Sequence, residues 1–154
     1  MKRLLYLVCV VVFAAGLSSC NKDSDPEPAP VVGKWKSDII RRSGLTGDFA
    51  VGNVDIDALK VYGLDVNFEV KTDNTFAGTD RSGGVVDPFN GTWTYSGTDL
   101  TFKYDAGGEE KLTYDAAKSQ LLGEQFTVPD TLINPKTNVA TPVTYKLQII
   151  FSKQ

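Results

Sequence analysis

Leu64, Val66, Phe68 and Val70 alternate with the polar Asp65, Asn67, Glu69 and Lys71. A repeat of two places the apolar set on one face of an extended chain, so the segment is predicted as a half-buried strand. The pattern recurs along the chain. Trp35, Ser37, Ile39 and Arg41 share one face of a first strand, and Phe76 begins a third that runs to Asp80. Trp93 and Tyr95 mark a fourth strand, and Leu100, Phe102 and Tyr104 a fifth. Leu112 and Tyr114 mark a sixth, and residues 119–128, with Leu122, Phe126 and Val128, a seventh. Tyr145, Leu147, Ile149 and Phe151 give an eighth. Turn signals separate them at Thr72-Asp73-Asn74-Thr75, Ser96-Gly97-Thr98-Asp99 and Asp115-Ala116-Ala117-Lys118. The expectation is an all-β domain over residues 31–154, built as an eight-stranded antiparallel up-and-down barrel, because closure removes exposed strand edges. An immunoglobulin-like sandwich is the alternative, but it would want turns of similar length at both ends.

The connections are instead lopsided. In an up-and-down barrel alternate connections lie at the same end. One end would carry three turns of about four residues. The other would carry the longer segments 42–63, 81–90, 105–109 and 129–142. The long-connection end is therefore expected to be open. Within the first of these, residues 53–63 are predicted as a short helix capped by Asn53 or Asp55 and ended by Gly63. Val54, Ala58, Val61 and Tyr62 would form its apolar face, either as a lid over the mouth or as a plug in the barrel.

The N-terminal segment reads differently. Lys2 and Arg3 precede an apolar run of about fourteen residues, 4–17, which is the length of a secretory h-region and shorter than the roughly 18 residues a membrane-spanning helix needs. The run ends in Leu17-Ser18-Ser19-Cys20, which resembles a bacterial lipobox. Residues 1–19 are then a lipoprotein signal peptide, and Cys20 is the lipidated N-terminus. With Cys9 removed, Cys20 has no intramolecular partner, and acylation accounts for an unpaired cysteine in an exported chain. Residues 20–30, rich in Pro and acid, read as an extended tether. A basic residue followed by acids here resembles the surface-export signal of Bacteroidota lipoproteins; a plain acidic spacer is the other reading. The expected location is the outer membrane, lipid-anchored, facing either the cell surface or the periplasm.

Composition narrows the chemistry. Removal of the signal leaves 135 residues with 14 basic and 19 acidic side chains, a net charge of −5. No basic patch stands out, so a nucleic-acid partner is not expected. The chain has no histidine and, after cleavage, no cysteine pair. Zinc sites and His-based acid–base catalysis are thereby excluded, and neither an enzyme nor a cofactor is expected. Asp55, Asp57 and Asp65 invite a calcium reading, but Leu59 and Lys60 stand where an EF-hand loop needs a ligand and its turn glycine, and no metal is expected.

Gly33-Lys34-Trp35 resembles the Gly-X-Trp that opens the first strand of lipocalins, and the eight-strand count and long first connection are lipocalin-like too. Gly91-Thr92-Trp93 resembles a later motif of the small lipocalin-like lipoproteins of Bacteroidota. The resemblance covers roughly residues 31–154. It implies a calycin-like barrel, structural roles for Gly33 and Trp35 with the Trp at the closed end, and binding of a small apolar ligand inside. The Arg that lipocalins place on that Trp from the last strand is absent, and Lys153 is the nearest substitute.

The rings expected to point inward, including Phe68, Phe76, Trp93, Phe102, Tyr114 and Phe151, either fill the barrel or line a pocket. By strand direction Tyr104, Phe126 and Tyr145 lie nearest the open end, and Phe49, Tyr62 and Phe89 join them from the loops as candidate ligand-binding residues. Arg41 shares the face of Trp35 by parity and is a candidate for an anionic head group, unless a one-residue bulge turns it to solvent. Asp130-Thr131-Leu132 resembles the O-glycosylation acceptor of Bacteroidota, which makes Thr131 a candidate acceptor. The expectation is a non-catalytic lipoprotein that binds a small, partly apolar ligand at its open end. The alternative is an interaction module with a filled barrel that contacts an outer-membrane protein or a glycan through its long loops.

Overall fold

The structure is a computed structural model that describes residues 27–154; the expected signal peptide (1–19), the expected lipidation site Cys20 and the first part of the expected tether (20–26) lie outside the described residues. Among the described residues ten strands follow in order: β1 (Gly33–Ser43), β2 (Asp55–Asp57), β3 (Val66–Val70), β4 (Thr75–Asp80), β5 (Asp87–Ser96), β6 (Asp99–Tyr104), β7 (Glu109–Asp115), β8 (Gln120–Leu122), β9 (Phe126–Ile133) and β10 (Ala140–Lys153). All neighbours are antiparallel, and β1 pairs with β10 to close the sheet. Eight strands form the barrel: β1, β3 to β8, and β10. The outer two strands do not enter it. β2 pairs with the C-terminal half of β1, and β9 with the N-terminal half of β10, so a four-stranded flap rises from one side of the barrel.

The split of β1 between two partners has a local cause. Its first residues pair with β3, from Gly33↔Val70 to Lys36↔Asn67. From Ile39↔Asp57 onward it pairs with β2. Ser37 fills the gap: its buried hydroxyl donates to the Leu64 carbonyl (3.1 Å) and accepts from the Val66 N–H (3.0 Å). Register with β10 slips by one residue at Asp38. That bulge exchanges the two faces of the strand beyond it, since side chains alternate with period two.

The tight turns form as expected, at the end where the chain enters. In the first, the Asp73 carboxylate accepts from the Thr75 N–H and hydroxyl, and Asn74 takes a left-handed conformation. In the third, Asp115 accepts from Ala117 and Lys118, and Ser119 is left-handed. The core fills this half of the barrel. Phe76 and Phe102 stack at 4.1 Å, and Phe68 meets Phe102 and Phe151 edge-on at 5.3 and 5.2 Å. Both tryptophans satisfy their indole N–H at backbone carbonyls, Trp35 at Val31 and Trp93 at Lys71.

Four expectations are corrected. Residues 87–90 belong to β5 and not to the connection 81–90, so Phe89 is a strand residue and not a loop one. Residues 119–128 are not one strand: β8 ends at Leu122, the Gly123 N–H donates to the Ile149 carbonyl (2.8 Å), and a new strand starts at Phe126. Residues 129–142 are not a loop but most of the β9–β10 hairpin, in register from Ile133↔Ala140 to Phe126↔Leu147. Pro129 sits on an edge strand, where a missing donor is tolerated. The segment 53–63 is only partly helical. Asp55–Asp57 is β2, and helix α1 covers Ala58–Tyr62. Asp57, not Asn53 or Asp55, caps α1 by accepting from the Lys60 N–H (2.8 Å), while Gly63 ends it in the left-handed region. Asn53 instead holds both backbone groups of Leu45. Of the supposed apolar face only Ala58 is buried; Val54, Val61 and Tyr62 are exposed, and α1 packs on β1 and β2 rather than plugging the barrel.

Candidate functional site: an acid-rimmed cavity at the barrel mouth

The half of the barrel away from the tight turns is not filled. A cavity of about 300 Å³ opens there, between the start of β3, the end of β4, the start of β5, the end of β6 and the start of β7. Its floor is Phe68, Phe102, Leu112 and Phe151, all buried. Leu64, Val66, Phe89, Tyr104 and Ile149 form half-buried walls. A second hollow of about 250 Å³ shares Glu110, Ile149 and Phe151 with the first and continues to Glu109, Gly123, Glu124 and Phe126. Broader depressions occur elsewhere, notably along 129–131 and 142–144, but these lie open on the outer surface.

Two features hold the walls in place. Phe89 lies across Gly78, where any Cβ would meet its ring at 2.5 Å, so only glycine lets the ring close that side. Tyr104 stands edge-on to Phe76 at 5.3 Å and to Phe89 at 6.1 Å, joining the mouth to the core stack. Its hydroxyl donates to Glu110 Oε2 at 2.5 Å. Burial, reinforced by that carboxylate, holds the Tyr104 phenol above its ordinary pKa, so it is a neutral donor.

The polar lining is one-signed. Asp80, Asp87 and Glu110 rim the cavity, Glu109 and Glu124 rim the hollow beside it, and among the described residues neither is lined by a Lys or Arg. Asp80 and Asp87 face each other directly across the β4–β5 ladder. They share the inward parity of Phe76 and Phe89, and like charges directly opposite are unfavourable. None of the ion pairs found among the described residues neutralises any of these five acids.

The sequence candidates divide. Phe89 and Tyr104 line the cavity, and Phe126 the hollow beside it, with half its surface exposed. Arg41, Phe49, Tyr62 and Tyr145 do not line it. The bulge at Asp38 turns Arg41 outward, where its guanidinium forms a two-pronged pair with Asp55 at 2.8 and 2.8 Å. Arg42 takes the inner face in its place, 5.7 Å above the ring of Tyr145 in the flap. Tyr145 donates to Asp130 (3.1 Å), Phe49 lies half-buried beside residues 142–144, and Tyr62 is exposed on α1. Thr131 stands exposed on β9, with its N–H donating to the Asp130 side chain.

Gly33 and Trp35 sit at the opposite, closed end. The Lys153 ammonium is 5.5 Å from the Trp35 ring centre and donates to the Pro30 carbonyl at 3.0 Å. Sequence reasoning missed the rim acids. Their signal was parity: Asp80 follows Phe76 and Gly78, Asp87 precedes Phe89, and Glu110 precedes Leu112, each on the apolar face of its own strand. Compared with protein-family models, with curated proteins and with solved structures, the chain finds no match.

Proposed function

We propose that the protein is an outer-membrane lipoprotein, anchored through Cys20, whose lipocalin-like barrel binds a small, partly apolar ligand at its open end without catalysis. The observation that carries this reading is the cavity itself. About 300 Å³ with an aromatic floor and a few polar groups at the rim is the size and lining of a small-molecule site. It speaks for binding over a barrel filled by its own side chains. The lipocalin likeness draws support from the closed end, where a basic side chain from the last strand covers the Trp of Gly33-X-Trp35. The tether reaches the barrel at Pro30, beside that Trp and opposite the mouth. An anchor at Cys20 would thus leave the mouth facing away from the bilayer.

Native mass spectrometry of the full chain, extracted in detergent from its own membrane, tests the binding reading. A retained small molecule, lost in Val66→Trp, which fills one wall, is the expected result. No retained mass, together with no uptake of the neutral probe N-phenyl-1-naphthylamine, would return the protein to a contact module. Metabolic labelling with palmitate tests the anchor, with incorporation expected in the native chain and none in Cys20→Ser.

A further inference from the structure

We infer that the ligand of the mouth cavity is an organic cation: an amine or quaternary ammonium on a short aromatic or alkyl body. This rests on the binding reading above and narrows it to a chemical class.

The cavity offers two kinds of surface in sequence from floor to rim. At the floor, Phe68, Phe102 and Phe151 present rings and Leu112 a branched chain, with no polar side chain among them. At the rim, Asp80, Asp87 and Glu110 present carboxylates, with Phe89 and Tyr104 between. A molecule matching this order has an apolar body inserted first and a positive head left at the mouth. The head meets two attractions there, the carboxylates and the faces of the aromatic rings, which favour ammonium groups within about 6 Å of a ring centre.

The alternatives fit less well. An anionic head would face three carboxylates with no basic lining residue to receive it. Arg41, the cation that parity offered for that role, is turned outward and paired to Asp55. A metal ion needs ligands gathered at one point, and among the described residues no three acids, histidines or cysteines stand close enough to hold one. A neutral ligand would leave the Asp80–Asp87 opposition unrelieved. A single ammonium at the mouth offsets it without needing several ligands gathered at one point. The volume, at ~30 Å³ for each water displaced, is worth about ten waters, which suits an arylalkylamine rather than a long lipid.

Glu110 is the carboxylate placed to anchor the head. One of its oxygens already accepts from Tyr104, which fixes its direction, and the other faces no hydrogen-bond donor among the described residues. Asp80 is fixed in a similar way by the Ser82 N–H at 2.7 Å.

The test uses three probes with one body and three charges: 4-phenylbutylamine, 4-phenylbutanol and 4-phenylbutyrate, each displacing N-phenyl-1-naphthylamine from the full chain in neutral detergent. The amine is expected to bind about tenfold more tightly than the alcohol, roughly 1.4 kcal/mol, and the carboxylate most weakly. Glu110→Gln, which keeps an acceptor for Tyr104, and the double variant Asp80→Asn with Asp87→Asn should each shrink the amine-to-alcohol ratio toward one. The double variant removes a like-charge opposition, so a folded product is expected. If the naphthylamine probe binds but amine and alcohol compete equally, or the carboxylate competes best, the cation assignment is overturned while the binding site stands. If not even the neutral probe binds, the binding reading falls and takes the assignment with it.

Discussion

The Lys153 side chain lies over Trp35 with its ammonium 5.5 Å from the ring centre, and it passes so close to Gly33 that a Cβ there would meet Lys153 Cε at 2.7 Å. Gly33 also has φ +138, outside the range other residues adopt readily. Gly33→Ala should therefore lose about 1–3 kcal/mol, and Lys153→Ala about 0.5–1 kcal/mol through the cation–ring contact. Because Lys153→Ala also clears the space a new Cβ needs, the double variant should cost less than the sum of the two. Urea denaturation of all four chains measures the coupling.

Phe102 links the closed-end core to the mouth floor, stacking on Phe76 and meeting Phe68 edge-on. Phe102→Ala should cost about 3–5 kcal/mol by the same measurement, and it should enlarge the cavity enough to weaken probe binding as well.

The rim acids and the flap acids should respond oppositely to neutralisation. Asp87→Asn relieves the opposition with Asp80 and should gain about 0.2–1 kcal/mol. Asp55→Asn breaks the Arg41 pair on a largely exposed face and should lose less than about 1 kcal/mol. Finding that Asp87→Asn destabilises would remove the argument that the mouth is kept charged against the interest of the fold.

Arg41 hydrogen-bonded to Asp55, the Lys60 N–H on Asp57, and the Thr75 hydroxyl and N–H on Asp73 hold these three carboxyls below the ordinary aspartate value. Each binds its proton more weakly in the folded chain. Their contribution is thus fully present above the unfolded pKa of ~3.9 and disappears as pH falls through the lower folded values. The melting temperature should be level from neutral pH to about 5 and fall below about 4, with a shallower fall in Asp55→Asn.

Burial and Glu110 hold the Tyr104 phenol above the ordinary tyrosine value, and burial and Asp130 do the same for Tyr145. A raised phenol favours the folded state below its unfolded pKa of about 10, and that contribution is lost as pH climbs toward the folded value. Absorbance titration near 295 nm should lose part of its most alkaline component in Tyr104→Phe.

The barrel strands were legible because each buries one face only, which writes period two into the sequence, as in Leu64 to Val70 and Leu100 to Tyr104. The turns were legible through Asp73 and Asp115, whose side chains bond the backbone locally. The flap was not. In β9, Val128, Asp130 and Leu132 alternate weakly because both faces are partly exposed, and Pro129 and Pro142 resemble loop punctuation. The site was half legible. Phe89 and Tyr104 announced themselves as rings, whereas Asp80, Asp87 and Glu110 look like ordinary surface acids until pairing fixes which way they point. Arg41 failed through one inserted residue, Asp38, whose position depends on a partner strand more than a hundred positions away.

That distance has a consequence for how the molecule is made. Ser152 donates to Asp38 across 114 positions of sequence, within the β1–β10 seam that closes the barrel. Until β10 has been synthesised and docked, β1 and β8 are both open edges able to accept a foreign strand. The fold is dominated by non-local pairing, for which folding times of milliseconds to seconds are usual. The nascent chain therefore has no closed barrel until β10 is made, and its vulnerable period ends when that strand docks on β1 and β8.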